Sequence, residues 1–151
     1  MRPRPDDAPA ARAALQAARA ARAAAGDEAA AGDDARRDAF AALLYGVATA
    51  FAARDDGPDA PPLDERVDAL ATRVLRDALG LGFRDACRGV EAIADSIVAE
   101  RPDPAVIGLV REGAACAADW MGGDLRAFES RVLRATAPDG FASERALRAR
   151  R

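Results

Sequence analysis

Glu91 and Asp95 stand four residues apart, and Glu112 and Asp119 seven apart. In a helix, each spacing sets both carboxylates on one face. Four carboxylates on neighbouring helices are the donor set a hard cation such as Mg²⁺ takes, and some helical hydrolases are built that way. The Glu-x-x-Glu and Glu-x-x-His spacings of di-metal helices are absent here. The four acids therefore read as polar surface or interface, and no metal or other cofactor is expected. Asp124 follows a Gly-Gly break, where it can cap a helix and extend the same acidic set. Trp120, the single tryptophan, reads as a core or cap residue, or as an anchor facing a partner.

Other reactive groups lack the company that would activate them. All 22 basic residues are arginine, and the chain has no histidine, lysine or asparagine. That excludes an imidazole general base, a histidine metal ligand and a lysine Schiff base. Ser96, Ser130 and Ser143 have no base to deprotonate them, and Tyr45 reads as core. Cys87 and Cys116 are too few and too far apart for a zinc framework or a redox pair. Both are expected to be reduced, buried packing groups at equal depth in an antiparallel hairpin. The chain is expected not to be an enzyme.

Charge is uneven along the chain. Overall it is −3, but residues 85–124 hold eight Asp/Glu against three Arg, a net of −5. Residues 125–151 hold seven Arg against three acids, a net of +4. An acidic surface steers a basic partner toward it. No basic stripe with interleaved aromatics appears, so direct nucleic-acid binding is not expected.

The elements that position these residues follow from apolar period and from glycine and proline stops. With 151 residues, 50% hydrophobic and 5% aromatic, the chain fits one alanine-rich helical domain. A first helix, 8–25, has Leu15 as its one large apolar group and is expected to dock loosely, with a linker to residue 33. The second, 34–54, carries the stripe Phe40, Leu44, Val47 and Phe51, and Gly46 within it permits close approach of a neighbour. A third runs over 63–79, with Leu63, Val67, Leu70 and Val74 on one face. A fourth, 83–101, carries Phe83, Cys87, Val90, Ile93 and Ile97. Asp103 as cap and Pro104 as first residue start a fifth, to Met121. Leu125–Thr136 forms a sixth, with Phe128, Val132 and Leu133 inward. The prediction is an all-α, single-domain antiparallel bundle of five to six helices: residues 1–33 loosely attached, 34–137 the core, 138–151 a basic tail. No apolar run approaches the ~20 residues of a membrane helix. The start, MRPRPDDAP, does not read as a secretion leader, so a cytoplasmic setting is expected.

The segment RPDPAVIGLVREGAACAADWMGGD, Arg101 to Asp124, resembles the closing helices of small all-helical immunity proteins from bacterial polymorphic-toxin systems, immunity family 48 in particular. The matching features are the Pro-Asp-Pro helix start, the run Arg111–Glu112–Gly113, and Trp120 followed by Gly123–Asp124. From Phe40 onward the helical outline is compatible. The resemblance implies a cytoplasmic antitoxin that binds a cognate toxin domain, and it carries no catalytic residues. The alanine-arginine N-terminus departs from it. Candidate partner-binding residues are Glu91, Asp95, Glu112, Asp119, Trp120 and Asp124. Alternatives are a ligand-binding or dimerisation domain of a bacterial regulator and a carboxylate-metal hydrolase.

Overall fold

Asp33 starts the helix on which most of the others pack. Its carboxylate accepts a hydrogen bond from the Arg36 amide at 2.8 Å, satisfying one of the first-turn donors that a helix leaves unpaired. In the structure, a computed structural model that describes residues 9–54 and 58–137, the chain forms helices α1 (Pro9–Ala25), α2 (Asp27–Ala31), α3 (Asp34–Ala52), α4 (Leu63–Leu79), α5 (Phe83–Val98), α6 (Pro104–Met121) and α7 (Leu125–Thr136). No strand occurs among the described residues. The fold is all-α.

α3 is the central element. Besides the predicted stripe, Leu43 beside it and Tyr45, it also buries Ala42 and Ala48, so it is covered on nearly every side. A helix apolar all round belongs in the middle of a bundle. Its most extensive partner is α6, then α4; α1 crosses both α3 and α4, and α7 closes over α6 and α1. α5 leans mainly on α4.

The α3–α6 crossing rests on two glycines. A Cβ built on Gly46 would overlap the Val110 carbonyl oxygen and stand 3.0 Å from the Gly113 Cα. A Cβ on Gly113 would overlap the Leu43 carbonyl oxygen. The two backbones touch, and no other residue type fits either position as built. α4 ends at Leu79, as expected for a helix over 63–79, where Gly80 takes a left-handed φ of 65°.

Three expectations need correction. The first helix is not loosely attached: Ala11, Ala14, Leu15, Ala17, Ala18 and Ala21 are buried in the same cluster as Phe40 and Leu44. Small side chains bury completely when backbones approach closely, and alanine loses no rotamer freedom in doing so. The region before residue 34 is not all linker either, because α2 interrupts it; Gly26, at φ 82°, makes the break from α1. Finally, Leu63, Phe83 and Leu133 were read as inward-facing, but all three are exposed. Leu63 and Phe83 open their helices, where apolar period cannot tell a core position from an end. The proposed tail, residues 138–151, lies outside the described residues. No helix among them is long and apolar enough to cross a membrane.

Candidate functional site

The six candidate residues fall into two groups. Glu91 and Asp95 lie on the outer face of α5, both exposed, one helical turn apart and without an ion-pair partner among the described residues. The apolar face of the same helix, Ala86, Val90 and Ile93, is buried. That division sends outward the polar stripe Arg84, Arg88, Glu91 and Asp95, all four exposed.

Glu112, Asp119, Trp120 and Asp124 have tasks inside the fold. Arg131 of α7 donates from Nε to Asp119 at 2.9 Å and from Nη1 to Glu112 at 3.1 Å. The seven-residue spacing does put both acids on one face of α6, and that face meets α7. A guanidinium offers five donors in a planar fork, so one arginine can bridge two carboxylates. The two hydrogen bonds hold the Arg131 guanidinium above its ordinary pKa. Asp124 caps α7, its carboxylate accepting from the Ala127 amide at 3.0 Å. Trp120 is half-buried against Phe128, with ring centroids 5.2 Å apart at a 59° tilt, a common arrangement for a packed aromatic pair. The Trp120 ring is thus partly buried and packs against the core cluster. The four acids do not form one face: two point outward from α5 and two are clasped between α6 and α7. Among the described residues no group of three His, Cys, Asp or Glu is arranged to hold a metal ion.

The cysteines divide too. Cys116 is fully buried, and burial pushes its thiol up to about 12, so at neutral pH it stays protonated and weakly nucleophilic. Cys87 is only half-buried, contrary to the expectation that both are core groups. The reason is that α6 packs chiefly on α3 and touches α5 lightly, so the fourth and fifth predicted helices do not make a tight hairpin. Neither cysteine is in a disulfide. Tyr45 is buried, and desolvation, with Asp68 and Asp64 nearby, raises its phenol above the ordinary range.

Sequence reasoning missed Arg131. Its only local trace is an arginine on the helix after two acids that share a face. The register between α6 and α7 across Gly122–Gly123 is what brings the three together. No family model matches the chain, and neither the curated proteins nor the solved structures give a match.

Proposed function

We propose that this chain is a non-catalytic binding protein that docks a basic protein partner through the outer face of α5. The observation that carries the reading is the contrast among its carboxylates: Glu112, Asp119 and Asp124 accept hydrogen bonds from within the fold, whereas exposed Glu91 and Asp95 have no ion-pair partner among the described residues and lie on a helix whose other face supplies its anchorage. Exposed carboxylates speed encounter with a positive surface, and on this stripe they stand beside the exposed Arg84 and Arg88. The lack of histidine and lysine anywhere in the chain, together with the protonated Cys116, supports binding rather than turnover.

Within that reading the partner is a toxin domain, and the chain is its immunity protein. The support is the resemblance carried by Arg101 to Asp124. The test is co-expression with the product of each neighbouring gene, scored for growth rescue and for complex formation. Rescue by the parent chain, with association slowed about tenfold and its salt dependence flattened in the Glu91→Arg/Asp95→Arg variant, is the expected outcome. Undiminished association by that variant would remove α5 from the interface. Metal-dependent hydrolysis by the purified chain would replace the binding reading with an enzymatic one.

A further inference from the structure

Along the exposed stripe of α5 the charges follow a fixed order. Arg84 and Arg88 occupy the half toward the start of the helix, Glu91 and Asp95 the half toward its end. Spacings of four, three and four residues keep all four on one face. None of them makes an ion pair among the described residues. Arg84 and Asp95 are equally far from a centre between Gly89 and Val90, and so are Arg88 and Glu91. Reversing the direction of the helix therefore exchanges positive for negative at every position of the stripe.

A stripe with that symmetry complements a second copy of itself. When two such helices run antiparallel about a twofold axis at that centre, Arg84 of each copy lies opposite Asp95 of the other, and Arg88 opposite Glu91. All the pairs form in one register. A slip by one helical turn keeps only half of them, and a parallel arrangement sets like charges against like.

The apolar groups at the ends of the helix obey the same symmetry. Phe83 and Val98, at 63% and 80%, are the two most exposed large apolar residues among those described, and they are the first and last residues of α5. Arg76 lies over the Phe83 ring, 5.7 Å from its centroid, and leaves most of the residue open to solvent. At about 3.6 residues per turn, Phe83 and Val98 fall on the same flank of the stripe. Antiparallel pairing thus brings Val98 of each copy beside Phe83 of the other. Exposed ion pairs add little stability but fix register, and apolar burial at the two ends adds the attraction they lack.

We propose that α5 is a self-docking face, through which two copies of this chain associate antiparallel about a twofold axis. The charge order selects a second copy as the occupant. The binding reading places a basic partner on the same face, so the two occupants exclude each other. Self-association does not rest on that reading, because it needs no other protein.

The experiment is sedimentation equilibrium of the purified full chain over a range of concentrations. A reversible dimer is expected at low ionic strength, weakened about fivefold or more by about 0.5 M salt. Glu91→Arg/Asp95→Arg and Arg84→Glu/Arg88→Glu each leave a stripe of one sign, and each variant is expected to be monomeric alone. Mixed in equal amounts, the two are expected to form a heterodimer at least as tight as the parent dimer. Val98→Ser is expected to weaken the parent dimer about fivefold. Circular dichroism checks that each variant is folded. A parent chain that stays monomeric at low salt would overturn the proposal. So would a dimer that neither charge reversal weakens, or folded variants that do not pair when mixed. Each of these results leaves the test with a toxin partner intact, since that test scores a different complex.

Discussion

Gly46 of α3 and Gly113 of α6 meet backbone to backbone. A Cβ on Gly113 would stand 2.9 Å from the Gly46 Cα, closer than real Cβ contacts come, and carbonyl oxygens of the facing helix block both positions. Gly108, five residues earlier on α6, is exposed and has open space where a Cβ would go. The same substitution therefore has opposite signs on one helix. Gly108→Ala is expected to stabilise by about 0.5–1 kcal/mol, since alanine loses less backbone entropy in a helix. Gly46→Ala and Gly113→Ala are each expected to destabilise by about 1–3 kcal/mol or more, because the helices must separate. Urea unfolding of the three variants decides it; equal effects at Gly108 and Gly113 would mean the crossing is not tight.

α1 is part of the core, so its alanines should not tolerate enlargement. Ala17 and Ala18 have no exposed surface. Ala18→Leu is expected to cost about 1–3 kcal/mol through overpacking against the neighbouring helices. Ala23→Leu, at an exposed position of the same helix, is expected to stay within about 0.5 kcal/mol of the parent. Thermal unfolding of the pair separates a packed helix from a loosely attached one, for which both changes would be silent.

Asp124 offers a way to tell a cap from a docking residue. Asp124→Ala removes the acceptor for the Ala127 amide and is expected to cost about 1 kcal/mol. Asp124→Asn keeps an acceptor but discards the charge, and its stability is expected to stay near the parent's. If the asparagine variant loses as much stability as the alanine one, the carboxylate charge rather than the cap geometry is what matters at that helix end.

Cys116 makes alkaline stability pH-dependent. Its thiol is raised from 9.0 to about 12 by burial, so between those values the folded state holds a proton that the unfolded state has released. Stability then falls as pH rises, by up to about 1.4 kcal/mol per pH unit for one group. Below pH 9 the contribution is fully present. Tyr45, also raised, adds a similar slope at higher pH. Cys116→Ala is expected to be less stable at neutral pH but to show a shallower decline above pH 9. Parallel decline in parent and variant would show that the thiol does not carry the effect. In the native protein at pH 8, half-buried Cys87 is expected to react with a thiol reagent well before Cys116.

The helix boundaries were legible because their signals are local. Asp103 and Pro104 open α6, Gly80 closes α4, and Asp124 caps α7, as the residue types foretold. Each signal works through a backbone group one to four residues away, so no knowledge of the rest of the chain is required. The departures have one origin. α1 was undervalued because its burial depends on what lies against it, and an alanine face shows little hydrophobic contrast in sequence. Leu133 was placed inward because apolar period marks a stripe but not how far the neighbouring helix covers it. Of the candidate site, the exposure of Glu91 and Asp95 could be read from their place opposite Ala86, Val90 and Ile93. The engagement of Glu112 and Asp119 could not, since their partner lies on a different helix.

By itself, then, the sequence determined that this chain is helical, where most of its helices begin and end, and which side-chain types it lacks. Those properties follow from residue type and from spacings within a turn or two. Tertiary structure decided that α3 is the centre, that Gly46 meets Gly113, that Arg131 clasps two acids of α6, and that Arg19 reaches Asp77 across 58 residues of chain. Each of these is a contact between segments whose relative register no local pattern encodes. It is set by how closely the helices can approach, which depends on the volumes of all the side chains packed between them.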